Sequence, residues 1–404
     1  MNVDELVRDS LREQSAEQPP LAPGFADRVL NVRRRRRTRT FATVAAATAA
    51  VVAVAVAVPL LGSGKDKDEV RFATEMNRSD IIAHPDQSPP RDLIAAGDVA
   101  LAGYYSWNIV KRTEKVADHV RDYWLLDQKT GKYEKTAKWS YIDFAPGLRT
   151  AAVLEKDLPA QRIGILDLYT GEVERWIPVD RGVAGVEFSP DGSKLVATTY
   201  SKNPDLLSKL DYDSDGDGKK NDWGPKWFQS DRTGFYIVDV DSGESSWSEV
   251  TDNSDGDLNV RQDFAFSHDG KLVYSGLTTE PHQRFYDFEG NEAAKPANEK
   301  YTHWAERAGL SPNGELVASG GTVLDAYTGK QVAKVSGGQQ SLAWVDDERL
   351  VIWGCDPERC NGKNEFRNQL LLVTVGSDKV VQLSDFRKAS SDYAGRWTPM
   401  FSER

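Results

Sequence analysis

The feature that most restricts the fold is a phrase the chain spells three times. Val186-Glu-Phe-Ser-Pro-Asp-Gly-Ser-Lys-Leu-Val-Ala197 returns as Phe264-Ala-Phe-Ser-His-Asp-Gly-Lys-Leu-Val-Tyr274, and again as Ala308-Gly-Leu-Ser-Pro-Asn-Gly-Glu-Leu-Val-Ala318. In each, apolar strand residues flank a Ser-Pro/His-Asp/Asn-Gly centre. Proline presets φ for a turn, Asp or Asn bonds its own backbone, and Gly tolerates positive φ. The phrase therefore reads as two strands and the hairpin turn between them.

A second hairpin accompanies each phrase: Ile165-Leu-Asp-Leu-Tyr-Thr-Gly171, Ile237-Val-Asp-Val-Asp-Ser-Gly243 and Val323-Leu-Asp-Ala-Tyr-Thr-Gly329. Related turns occur at Thr130-Gly131, Glu289-Gly290 and Val375-Gly376. The six turn glycines are 40, 72, 47, 39 and 47 residues apart. The long interval holds an Asp-rich insertion at residues 201–230. Without it, each unit carries two hairpins in about 40–47 residues, the period of a four-stranded propeller blade. From Asp92 onward, helical periodicity gives way to short alternating runs. A β-sandwich is the competing all-β architecture, but sandwiches do not repeat one phrase at fixed spacing.

The phrase resembles the repeat of WD40-like and TolB-like bacterial β-propellers, over roughly residues 92–390. The resemblance implies an all-β propeller across 92–404. Six units can be counted; Trp397 to Phe401, or Val70 to Ala73, would supply a closing strand or part of a seventh. Propeller faces bind peptides, proteins or small ligands through loops on a rigid frame.

Ahead of the repeats lies a different kind of sequence. Arg33 to Arg37 and Arg39 form a basic block, and Phe41 to Leu61 carries no charge and is almost entirely Ala and Val. A helix of that length matches a hydrocarbon core of ~30 Å. Arginine-rich flanks stay on the cytoplasmic side. The expected layout is a cytoplasmic tail (1–40), a transmembrane helix (41–61), a polar tether (62–91) and an extracytoplasmic domain (92–404) at the cell membrane. The rival is a cleavable signal peptide. Its charged region would have to include some forty residues, and its apolar part should be only ~7–15 residues long.

Charge supports the division. The chain of 404 residues has a net charge of −11, yet residues 1–40 hold nine Arg against six Asp or Glu. The part beyond the apolar run is therefore strongly acidic, which argues against nucleic acid or anionic lipid as its partner. All 11 Trp also lie there. Within the tail, Val3, Leu6, Val7 and Leu11 make one apolar helical stripe. Two short helices cannot bury a core alone, so the stripe reads as a docking element for a cytoplasmic protein or as a membrane-surface helix.

The most specific local motif is in the insertion. Asp211, Asp213, Asp215 and Asp222 occupy positions 1, 3, 5 and 12 of a loop with Gly216 at position 6, and Asp217 at position 7 would offer its backbone carbonyl. Such spacing wraps a hard cation in oxygen ligands. It resembles the calcium loop of EF-hand and dockerin-like proteins, with Asp in place of Glu at the last position. A solvated acidic loop is the plainer reading. Thr251 to Asp257 is a weaker echo.

Cys355 and Cys360 flank Asp-Pro-Glu-Arg. Outside the cytoplasm they read as a disulfide closing a small loop, with free thiols the alternative; a metal would need two further ligands. Catalytic signals are poor. The five histidines (84, 119, 268, 282 and 303) are scattered, and no nucleophile elbow, zinc helix or phosphate-cradling loop occurs. A binding or sensing module is the leading expectation. Its layout resembles that of membrane regulators paired with extracytoplasmic-function sigma factors, which implies control of a cytoplasmic partner through the tail. The alternatives are a propeller hydrolase or lyase with its site at the central channel, and an envelope scaffold.

Overall fold

The computed structural model describes residues 81–404, apart from 215–217, 226–229, 252–260, 278–279, 304–305, 336, 357–367 and 388–395. The tail with Val3, Leu6, Val7 and Leu11, and the apolar run 41–61, lie outside the described residues. Among the described residues, no helix is long and apolar enough to cross a membrane.

The described chain is all-β. Its first strands are β1 (Ile81–Ile82), β2 (Ala95–Ala96), β3 (Val99–Lys111), β4 (Val116–Asp127), β5 (Lys132–Thr136), β6 (Trp139–Phe144), β7 (Thr150–Glu155), β8 (Ala160–Asp167), β9 (Glu172–Phe188), β10 (Lys194–Tyr200), β11 (Leu206–Lys209), β12 (Trp223–Gly224), β13 (Arg232–Asp239) and β14 (Ser245–Glu249). There follow β15 (Phe264–Phe266), β16 (Val273–Gly276), β17 (Gln283–Tyr286), β18 (Glu292–Ala293), β19 (Leu316–Ser319), β20 (Thr322–Asp325), β21 (Gln331–Lys334), β22 (Gly338–Trp344), β23 (Arg349–Gly354), β24 (Gln369–Thr374), β25 (Val380–Gln382) and β26 (Trp397–Glu403).

These strands form five antiparallel sheets. The first has eight strands. Its central array is β26-β3-β4-β5, extended by β1 and β2 at one end of β3 and by β11 and β12 at the far end of β4. The second sheet runs β14-β13-β10-β9-β8-β7-β6. Within it β9 serves twice: its first part pairs with β8, and Val183 to Phe188 pairs with β10. Sheets of four, three and four strands follow, in the order β15 to β18, β19 to β21 and β22 to β25.

The repeated phrase forms the hairpins expected of it. Gly192, Gly270 and Gly314 sit at φ of 70°, 68° and 73°. In each turn a serine hydroxyl (Ser189, Ser267 or Ser311) bonds the Asp or Asn two residues on. The same hydroxyls accept the N–H of Lys194, Leu272 and Leu316, which locks the strand register across the turn. The second hairpin is held by its own Asp: Asp167 accepts from Thr170, Asp239 from Ser242 and Asp325 from Thr328. Asx turns of this kind satisfy amides that the ladder leaves over.

Two findings depart from the expected layout. Among the described residues strand pairing is already present at Ile81, inside the stretch expected to be tether. Ile81 and Ile82 pair with Ala96 and Ala95, and Gln87 bonds Asp92 and the Arg91 and Asp92 amides. A single apolar pair in polar surroundings is too short a signal to read as a strand. The insertion, too, is more than a surface loop: Leu206 to Ser208 pair with Val116 to Asp118 of β4, so the insertion joins the first sheet although the strands on either side of it, β10 and β13, belong to the second.

Burial follows the seams between sheets. The largest apolar cluster joins Leu101, Tyr104 and Tyr123 of the first sheet to Leu342, Val351 and Leu370 of the last, with Trp397 among them. Trp397 meets Tyr104 at 5.6 Å and Trp353 at 4.8 Å between ring centroids, both edge-on. Such edge-on pairs add ~0.5–1.5 kcal/mol to the area they bury.

Candidate functional site

Side chains from four of the five sheets, and from the segment leading into β19, converge on one cavity of about 900 Å³. Tyr105, Arg121 and Tyr123 face it from the first sheet, Tyr141, Asp143 and Glu187 from the second, and Phe266 and Tyr274 from the third. Leu310, bridged to Val317 of β19, and Trp344 of β22 complete the wall, together with Pro399 to Glu403 of β26.

Two classes of charged group occupy the wall. The first is a buried ion network. Arg121 donates to both carboxylate oxygens of Asp205, at 2.8 and 3.3 Å, and Arg261 Nη1 lies 2.7 Å from Asp205 Oδ2. Arg261 Nε also meets Asp263 at 2.9 Å, and Asp263 accepts from the Tyr200 hydroxyl at 2.9 Å. The guanidinium of Arg121 stacks 4.2 Å from the Trp107 ring, and that of Arg261 lies 4.8 Å from Tyr141. Burial opposes ionisation of Asp205, but the two guanidiniums outweigh it and hold the carboxyl down to about 2. His119 stacks on Trp107 at 3.7 Å; burial, with Arg121 alongside, lowers it to about 4, so it stays neutral. The approach of Asp263 to β9 depends on Gly185. A Cβ there would stand 2.4 Å from the Asp263 carboxyl carbon.

The second class is a pair of carboxyls that cross from one inner strand to the next. Asp143 of β6 accepts the Phe188 N–H of β9 at 2.7 Å, and Glu187 of β9 accepts the Phe266 N–H of β15 at 3.0 Å. Enclosure by the walls raises Asp143 to about 7. It raises Glu187 to about 8, with the neighbouring Asp143 adding to the effect. Both keep an edge on the cavity. In the second of the three phrase turns His268 stands where the other two have proline, and its N–H is taken by Glu299 at 2.9 Å.

The residues expected to form sites are placed elsewhere. Asp211, Asp213 and Asp222 lie in the β11–β12 connection; Asp215 and Asp217 lie outside the described residues. Asp213 accepts the Gly218 N–H at 2.8 Å, and Asp222 accepts the Ser214 N–H at 2.6 Å and its hydroxyl at 2.9 Å. Among the described residues, no group of three or more His, Cys, Asp or Glu is placed to hold a metal. Cys355 is buried just beyond β23, and Cys360 lies outside the described residues.

The ion network had no motif to announce it. Its members stand at positions 121, 205, 261 and 263, in three sequence neighbourhoods. The one local hint was Arg261-Gln-Asp263, a charged pair set directly before the apolar start of a repeated phrase.

The geometry defines a class: an all-β protein whose serial antiparallel sheets face one polar and aromatic cavity. No protein-family model matches the chain. No curated protein matches it either. Among solved structures it is similar to TolB from Acinetobacter baumannii, with a TM-score of 0.40 and 16% identity, over 76% of this chain and 68% of that one. It is also similar to the hydrazine synthase of Kuenenia stuttgartiensis, with a TM-score of 0.31 and 14% identity, over 62% and 69% of the two chains.

Proposed function

We propose that the chain is a single-pass membrane protein whose sheets close into a six-bladed β-propeller, acting outside the cytoplasm as a binding or sensing module. The observation that carries the reading is the pairing of β26 with β3. It ties the last strand into the first sheet and makes β26-β3-β4-β5 a four-stranded unit. With β9 counted once in each of two units, the second sheet supplies two more four-stranded arrays. Placing β26 beside β3 in one sheet is the closing contact a propeller ring requires. The cavity wall, with paired arginines, tyrosine hydroxyls and protonatable carboxyls, suits a ligand rich in hydrogen-bonding groups, such as a peptide.

A hydrolase or lyase would draw on Asp143 and Glu187. Their bonds to the amides of Phe188 and Phe266 support a structural role in the wall. The insertion loop is read as a calcium site, in which Asp211, Asp213, Asp215, Asp222 and the Asp217 carbonyl would hold the ion. The inward-turned carboxylates of Asp213 and Asp222 support it.

The tail then couples the module to a cytoplasmic protein, such as a sigma factor, through Val3, Leu6, Val7 and Leu11. A helix this short is marginal alone, and a partner groove would stabilise it. Replacing Leu6 and Leu11 by Asp is expected to release a cytoplasmic protein from the full chain purified out of solubilised membranes. Protease added to spheroplasts should still digest beyond residue 62 and spare the tail. If the same proteins co-purify with the double variant, the regulatory reading fails.

A further inference from the structure

We propose that the far end of the β3–β4 hairpin, with the β11–β12 ribbon laid against it, binds a phosphate-bearing polymer. Past Trp107 the hairpin leaves the body of its sheet, and residues 108–115 are all exposed, among them Ile109 and Val110. The ribbon from the insertion pairs alongside, so that Trp223 stands across from Lys209. Between them lies a cleft of about 660 Å³, separate from the central cavity, lined by Lys111, Arg112, Lys115, Lys209 and Trp223 together with Thr113 and Glu114.

The charge of this cleft runs against that of the chain, which holds 62 acidic residues to 51 basic ones. Arg112 is spoken for, paired with Asp118. Among the described residues, Lys111, Lys115 and Lys209 have no carboxylate within ion-pair distance. On the ribbon, Asp213 and Asp222 accept hydrogen bonds from the loop's own amides. Three unneutralised ammonium groups on one rim attract a multivalent anion, because each added phosphate contact multiplies the local effective concentration of the next. The half-buried indole of Trp223, with the Lys111 ammonium 5.9 Å from its ring centroid, offers a flat apolar face between the charges. That combination fits a sugar- or polyol-phosphate chain, whose apolar and anionic parts alternate.

The test uses the full chain in neutral detergent, with long-chain inorganic polyphosphate as the probe, at ~0.1 M salt, where only close-range charge contacts survive screening. The combined change Lys111→Glu, Lys115→Glu and Lys209→Glu is expected to weaken binding at least tenfold. The same reversal at Lys129, Lys132 and Lys330, exposed lysines outside the cleft, should leave affinity within twofold. All six positions are on the surface, so both variants should melt with the unaltered chain. The proposal is overturned if the unaltered chain does not bind polyphosphate, or if the cleft variant binds as tightly. Equal or tighter binding of polyglutamate would overturn the choice of phosphate. Lysine-dependent binding to phosphatidylglycerol vesicles, with none to polyphosphate, would assign the tip to a membrane instead.

Discussion

Successive sheets are joined in two different ways around the cavity. Between the last sheet and the first the seam is apolar and aromatic, with Trp397, Tyr104, Trp353 and Leu370 packed together. From β6 through β9 to β15, charged and hydrogen-bonding groups also carry the connection: Asp143, Glu187, and the Arg121–Asp205–Arg261–Asp263 network. An apolar seam stabilises without direction and is indifferent to pH. A polar wall stabilises only while every partner is present, but it fixes which strand faces which. Desolvation takes back much of what a buried ion pair gains, so the network is better understood as setting register than as adding net stability.

The largest effects should separate the two kinds of seam. Asp205→Asn would leave Arg121 and Arg261 buried without their shared counter-charge, at a cost of about 3–5 kcal/mol in unfolding free energy. Trp397→Ala should cost a similar ~3–5 kcal/mol by opening a cavity. The difference is in rescue: Asp205→Glu should restore part of the first loss, while Trp397→Phe restores part of the second. As a yardstick, Lys202→Met removes an exposed pair with Asp231 and should cost no more than ~1 kcal/mol. Chemical denaturation of the full chain in neutral detergent measures all five variants. An Asp205→Asn loss no larger than that of Lys202→Met would refute the buried-network account.

An intermediate effect belongs to pH. Asp143 and Glu187 bind their protons more tightly in the fold than in the unfolded chain, where ordinary values are 3.8 and 4.5. Their contribution is therefore fully present below about pH 4 and is lost as pH rises toward 7 to 8. Each should add a slope of roughly −1.4 kcal/mol per pH unit within that window. Asp205, held low, acts in the opposite sense and loses its contribution only as pH falls toward about 2. Asp143→Asn with Glu187→Gln keeps an acceptor for both amides. The variant should thus flatten the stability profile between pH 5 and 7 relative to the unaltered chain; parallel profiles would show that neither group titrates there.

The smallest effect concerns the insertion, which contributes Asp205 to the polar wall and the acidic loop to the periphery. Calcium at a hundredfold excess over its dissociation constant would stabilise the folded chain by about 2.7 kcal/mol if it bound only the native loop. Asp213→Ala with Asp215→Ala should abolish the increment and leave the cavity network intact. Melting curves that coincide in calcium and in chelator, for the unaltered chain, would remove the site.

Much of the fold was legible because its signals are local. A Ser-Pro-Asp-Gly turn and a Leu-Asp-x-x-Thr-Gly turn satisfy their own amides within a few residues, so their chemistry is written where it acts. Repetition then gave the two-hairpin unit, and the position of Trp397 to Phe401 suggested a closing strand. The sites were less legible. Asp205 reads as one more acid in an acidic insertion until β11 pairs with β4 and brings it to Arg121. Glu187 looks like a solvent-facing strand residue until β15 places the Phe266 amide against it.

By itself, then, the sequence determined the strand-and-turn grammar, the acidic balance and the abrupt change of character at residue 62, all of which depend on neighbours a few positions apart. The tertiary structure alone decided which carboxyls are held by arginines and which are left to bind protons near neutral pH. It also decided which lysines gather around Trp223. Each of these depends on side chains tens to hundreds of residues apart meeting in a low-dielectric wall or on one rim. Charge interactions there scale with distance and burial, neither of which is encoded at any single position.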